Sequence, residues 1–224
     1  MEILPEIHQV DGVQGNCFLL DREGLVLIDT GLPRNNKKIL SCIRDTLKKD
    51  PKDLKYIIIT HYHVDHTGNA AELRDITGAK VAIHEADADY LGGKMPMPPL
   101  QGLRGRILNI LLFFWSAKPV NPDILLHDGD SICGLQCIHT PGHTPGSICL
   151  HDPALQVVFC GDALLTKNGI VSGPPPSATP NMAEANTSAK KISHLDFDIL
   201  LSGHGIPVRP HASEQVAGFC RTLD

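Results

Sequence analysis

The chain is built from short apolar runs separated by turn-forming and charged residues. Cys-Phe-Leu-Leu at 17–20 and Leu-Val-Leu-Ile at 25–28 flank Asp-Arg-Glu-Gly, which predicts a β-hairpin running into a turn at Asp29-Thr30-Gly31. Apolar Ile39, Ile43 and Leu47 recur among lysines, predicting a helix over 35–49 that Asp50-Pro51 ends. A strand follows at 56–60, a helix at about 69–77 stopped by Gly78, a strand at 80–83 and a short helix at 85–91. Between 92 and 122 the character changes. Gly-Gly, a Met-Pro-Met-Pro-Pro run and further prolines at 119 and 122 frame an apolar stretch, which reads as an insertion around one helix. Strands resume at 131–139, 147–151 and 156–160. A Gly-Pro-Pro-Pro loop at 173–176 leads to a helix at 182–194, a strand at 197–201 and a last helix at 213–222. Two similar halves, each rich in strands and ended by helix, predict sheets packed face to face with helices outside.

Length and charge narrow the class. With 224 residues, 42% hydrophobic and 20% charged, the chain suits one domain spanning 1–224. A formal net charge of −5, and no basic run, argue against a dedicated nucleic-acid binder. Seven cysteines form no Cys-x-x-Cys pair, and the start carries no basic region followed by an apolar one. The expectation is a cytoplasmic protein with its cysteines serving as small core residues. The apolar stretch ending at Trp115 is far short of the ~18 residues a bilayer span needs.

Chemistry concentrates where the predicted strands end. Thr-His-Tyr-His-Val-Asp-His-Thr-Gly-Asn at 60–69 follows an apolar, β-branched run. His61 and His63, two apart at an extended strand end, point the same way and can share one ion. Asp65 and His66 lie past the bend and can reach a second. His143 sits in a Thr-Pro-Gly-His-Thr-Pro-Gly loop between strands, Asp162 ends a strand in Gly-Asp, and His204 ends another in Gly-His-Gly. Neighbouring glycines let the backbone bend so that such side chains share a cleft. Neutral imidazoles with carboxylates suit zinc, with iron and manganese as alternatives, in an open rather than a closed structural site.

His-x-His-x-Asp-His, followed by His143, Asp162 and His204, closely resembles the metallo-β-lactamase superfamily over nearly the whole chain, from Asp29 to His204. The resemblance implies an α/β (α+β) four-layer αββα sandwich with a two-metal cleft at one edge. Carried over by position, it implies that His61, His63 and His143 hold one ion. Asp65, His66 and His204 would hold the other, Asp162 would bridge them, and Asp29 would order the loop beneath. Zinc β-lactamases place Cys or Ser where this chain has Asp162. The ligand set is instead similar to that of glyoxalase II thioesterases, lactonases, phosphodiesterases and persulfide dioxygenases.

The reaction expected is metal-assisted hydrolysis of a carboxylic ester, thioester or lactone by a hydroxide that two divalent ions share, with Asp65 orienting it. No Gly-x-Ser-x-Gly elbow offers a side-chain nucleophile. The alternatives are a persulfide dioxygenase with a single iron and a scaffold whose ions only hold the fold. The apolar helix over 107–115 is equally a core helix or a functional one. As a lid it would place Ile107, Leu111, Phe114 and Trp115 as a wall for a small-molecule substrate with an apolar portion. As a surface patch, Phe113, Phe114 and Trp115 would suit a homodimer. His139 is near enough to the site to support it, although strand packing explains it equally. Cys133, Cys137 and Cys160 read as packing.

Overall fold

The computed structural model describes residues 1–99 and 116–223. One sheet holds seven strands in chain order: β1 Glu2–Leu4, β2 Ile7–Gln9, β3 Phe18–Arg22, β4 Gly24–Ile28, β5 Leu54–Ile58, β6 Lys80–His84 and β7 Ile124–Leu126. Pairing is antiparallel through β4 and parallel from β4 to β7. The second sheet holds β8 Ser131–Ile132, β9 Leu135–His139, β10 Ile148–Asp152 and β11 Val157–Gly161, with β14 Ile199–Ser202 parallel to β11 at its edge. A small hairpin, β12 Leu165–Lys167 and β13 Ile170–Ser172, stands apart.

Period-two alternation sorts the strand residues into three cores. Leu19, Leu27, Ile57 and Val81 face outward onto α1 Asn36–Ser41, α3 Ala70–Thr77 and α4 Glu85–Leu91, through Ile39, Leu73 and Leu91. Their neighbours Phe18, Leu20, Val26, Ile28 and Ile58 face inward against Cys137, Ile148, Leu150, Phe159 and Leu201 of the second sheet. An edge-to-face contact of Phe18 on Phe159, centroids 5.4 Å apart, joins the two sheets. Beyond the second sheet, Cys149, Val158, Cys160 and Leu200 pack on α5 Met182–Ile192 and α6 Ala212–Cys220. Three cores separate four layers, which is the αββα sandwich. Cys160 points into the outer core and Cys137 into the central one, so both pack as their sequence pattern suggests.

Several local boundaries differ from the sequence expectation. The helix expected over 35–49 is α1 followed by a π-helical turn, Cys42–Thr46. The strand expected at 131–139 breaks into β8 and β9, because Cys133 and Gly134 take φ of 52° and 78°. β5 stops at Ile58, so His61 sits in a bend and His63 just ahead of a helical turn, both beyond the strand rather than at its extended end. Next comes a helical turn, α2 Val64–Thr67, and then α3, which stops at Gly78 with φ +79°. Of the expected insertion, residues 92–99 and 116–122 carry no helix or strand. The helix expected over 107–115, with Ile107, Leu111, Phe114 and Trp115, lies outside the described residues. No helix among the described residues is long and apolar enough to cross a membrane.

The carboxyl ends of β4 and β5, and of β11 and β14, lie on one edge because each pair is parallel. The two sheets meet at that edge through a hydrogen bond from Ile148 N to Thr60 O of 3.0 Å.

Candidate metal centre

Three strand ends, one helical turn and one loop deliver the polar groups to that edge. His61 and His63 follow β5, Asp65 and His66 lie in α2, and His143 comes from the loop between β9 and β10. Asp162 follows β11, and His204 follows β14. Their nitrogen and oxygen atoms gather into three overlapping groups, each within 4.8 Å: His61, His63 and His143; His61, His66 and Asp162; and Asp65, His66 and His204. Asp162 lies among them all. Its Oδ2 is 3.3 Å from His204 Nε2 and 3.6 Å from His143 Nε2, and its Oδ1 is 3.5 Å from His66 Nε2.

Hydrogen bonds behind the cluster decide which face each imidazole offers. Thr60 Oγ1 donates its one proton to Asp29 Oδ2, at 2.8 Å, so it can only accept from His61 Nδ1, 3.1 Å away. His61 Nε2 is thereby left with its lone pair. His66 Nδ1 donates to Asp29 Oδ2 at 2.7 Å, which turns its Nε2 inward. His143 follows the same logic through Thr179, a residue that no motif marks. Thr179 Oγ1 donates to Pro175 O and so accepts from His143 Nδ1 at 3.1 Å. His63 turns Nδ1 inward, 2.9 Å from His143 Nε2. Asp29 itself takes a left-handed φ of 56° and also accepts from Thr60 N. His139 is not in the cluster: its Nε2 donates to Pro145 O and its ring stacks on His84 at 4.0 Å.

Three atoms here are buried with no partner: His61 Nε2, His66 Nε2 and Asp162 Oδ1. Unpaired buried polar atoms are costly, and three of them facing one another in a nitrogen–carboxylate set fit a divalent cation. The electrostatics agree. Burial and crowding by neighbouring imidazoles push His61 well down and His143 down to about 3, so both are neutral bases. Burial lowers His63 too. Burial opposes ionisation of Asp65 and Asp162, but His66 and His204 outweigh it and hold both carboxylates below their usual range. Carboxylates in turn overcome burial at the other two imidazoles: Asp29 first, then Asp162 and Asp65, raise His66 to about 9, and Asp162 with Asp65 raises His204 to about 10.

In the ion-free protein those two imidazoles hold protons at neutral pH, and a cation must displace them. Zinc added at about pH 7.5 is therefore expected to release at least one proton per chain, measurable as base consumed in a pH-stat. Folding stability follows with a definite sign. Both values are raised in the folded state, so the stabilisation is complete below about 6.5 and is lost as pH climbs through about 9 and 10. Ion-free protein should lose thermal stability between neutral and alkaline pH, while zinc-loaded protein should lose less. A Tm of the ion-free form that held level over that window would contradict this electrostatic account.

Beside His63 opens a cavity of about 430 Å³. Tyr62 and Tyr90, stacked at 4.3 Å, wall it together with Pro98, Pro99, Pro141 and Pro145, and Glu184 brings a carboxylate to its lining.

Comparison with known proteins places these features in context. The family description "Metallo-beta-lactamase superfamily" matches residues 10–204. Probable metallo-hydrolase YflN of Bacillus subtilis is 31% identical over 201 residues, covering 82% of this chain and 76% of its own. The acyl-coenzyme A thioesterase MBLAC2 of Bos taurus is 30% identical over 177 residues, covering 68% of this chain and 59% of its own length. In structure, the metallo-beta-lactamase family protein TTHA1429 of Thermus thermophilus superposes with a TM-score of 0.73 at 23% identity. That match covers 99% of this chain and 79% of the other.

Proposed function

The chain belongs to the metallo-β-lactamase superfamily, and from that premise we propose that it hydrolyses a carboxylic ester, thioester or lactone with two divalent ions, zinc suiting the donor set best. The observation that carries this reading is the position of Asp162, within 3.6 Å of imidazoles from both sides of the cluster and with Oδ1 unpartnered. His61, His63 and His143 would hold one ion, Asp65, His66 and His204 the other, with Asp162 between them. Bound there, such ions supply an activated water at neutral pH and a Lewis acid for a carbonyl oxygen.

The remaining work falls to the chain. Asp65, kept ionised by His66 and His204, can accept a proton from the attacking water and fix its direction. The hydrogen-bonded tautomers of His61 and His143 keep their lone pairs aimed inward with no reorganisation, and Asp29 holds His66 so that its Nε2 faces inward once its proton is displaced. The cavity by His63 offers apolar surface from Tyr62, Tyr90 and prolines to an acyl group. MBLAC2 being an acyl-coenzyme A thioesterase brings thioesters forward as the first substrates to try.

The test is acid release at constant pH from γ-lactones of rising chain length, from lactoylglutathione and from acyl-coenzyme A thioesters. Turnover abolished by a chelator, restored by zinc and improving with acyl length is the expected result. Silence on every substrate would overturn the reading. Oxygen uptake with a persulfide, and one iron per chain, would establish the dioxygenase alternative instead.

A further inference from the structure

Two residues outside the ligand cluster grip its two sides separately. Asp87 of α4 is fully buried, and its carboxylate accepts three hydrogen bonds. Tyr62 N, between His61 and His63, donates to Oδ2 at 3.1 Å. Thr144 Oγ1, next to His143, donates to Oδ2 at 2.7 Å, and Gly146 N donates to Oδ1 at 2.7 Å. One carboxylate thus ties together both loops that deliver His61, His63 and His143. It touches none of Asp65, His66 or His204.

On the opposite side Asn16, just ahead of β3, brackets His204. Its side-chain amide donates to Ser202 O at 2.8 Å and to Gly205 O at 2.9 Å, and its backbone N donates to Gly203 O at 2.7 Å. Gln9 Nε2 donates to Asn16 Oδ1 at 2.8 Å, which fixes the amide the right way round. The preceding Gly15 packs so closely on Asp65 that a methyl group there would lie 1.9 Å from Asp65 O. The same turn therefore borders two members of the group Asp65, His66 and His204.

We propose that Asp87 and Asn16 are independent positioning residues, Asp87 for the ion held by His61, His63 and His143, Asn16 for the ion held by Asp65, His66 and His204. The inference rests on the two-ion reading above. It adds that each ion can be weakened without the other, from a residue that touches neither.

Near-isosteric exchanges test it. In Asp87→Asn an amide NH₂ faces one of three donors, and in Asn16→Asp a carboxylate faces two carbonyl oxygens. Cobalt(II) is titrated into ion-free protein while the absorption spectrum is followed, with His143→Ala and His204→Ala as spectral references for loss of one or the other ion. Asp87→Asn is expected to bind one cobalt about 10- to 100-fold more weakly, the usual effect of losing a partner behind a ligand, with a half-loaded spectrum like that of His143→Ala. Asn16→Asp should show the same loss with the spectrum of His204→Ala. Should either variant fail to fold, Thr144→Val and Gln9→Ala remove one contact from each clip and should shift affinity in the same direction. Equal weakening of both ions in either variant, or no weakening, would overturn the proposal. Wild-type protein that binds no cobalt would overturn the two-ion reading itself, and the clips with it.

Discussion

Asp162→Ala is expected to lose full metal occupancy, binding at most one ion, together with nearly all turnover. Among the described residues the Asp162 carboxylate is the one negative group within reach of imidazoles from both sides, at 3.3 Å from His204, 3.5 Å from His66 and 3.6 Å from His143. Without it, cations held by the remaining groups would face each other with less intervening charge, and repulsion alone would expel one of them. Losing a partner behind a ligand typically costs 10- to 100-fold in affinity, and a shared ligand should cost more. The substitution also strips His204 and His66 of a carboxylate that raises their basicity, so the ion-free variant should release fewer protons on adding zinc. Metal per chain and acid release in the same preparation check this. Two ions with wild-type turnover would mean that the sequence pattern had been assigned to the wrong carboxylate.

The histidine–aspartate cluster was legible in the sequence because several of its members break an apolar pattern at a point where a strand must end. His61, Asp162 and His204 each follow a buried run, and His143, Asp162 and His204 stand beside glycine, so type and position agree without knowledge of the fold. The αββα layering was legible for a related reason, since runs such as Leu25-Val-Leu-Ile28 are apolar on both faces and must be covered on both. What could not be read were contacts between distant segments. Asn16 meets Ser202 across 186 residues, Thr179 meets His143 across 36, and Asp87 meets Thr144 across 57. Each is an ordinary polar residue in its own neighbourhood, and only the tertiary structure supplies its partner. Strands β1, β2, β7, β12 and β13 escaped notice because three residues are too few to display alternation. The segment that carries His61 and His63 reads as strand in the sequence because Ile59 and Thr60 continue the β-branched run past the last ladder pair at Ile58.

Gly203→Ala should disable the centre as thoroughly as removing a ligand, though it deletes nothing. A methyl group at this position would lie 2.2 Å from Asp162 Oδ1 and 2.6 Å from His66 Cε1, far inside any contact real atoms tolerate. Relief requires movement of the carboxylate, the imidazole or the loop. The loop is pinned on both sides, by Gly203 N donating to Gly161 O and Asn16 N donating to Gly203 O, each at 2.7 Å. His66 is buried and anchored to Asp29. Asp162, whose Oδ1 has no hydrogen-bond partner, is the group free to swing, and swinging takes it out of the cluster. Loss of full metal occupancy is therefore expected with a moderate fall in stability, about 1–3 kcal/mol for an overpacked site. Gly78→Ala supplies the contrast. There φ is +79° and nothing lies within 4 Å of the added carbon, so only backbone strain changes. That variant should lose about 1 kcal/mol, a Tm fall of roughly 2–4 °C, with cobalt binding unchanged. Equal metal binding in the two variants would show that the Gly203 loop has slack. The tight approach of strand end to strand end, on which the whole geometry of the centre depends, would then be looser than the distances around Asp162 indicate.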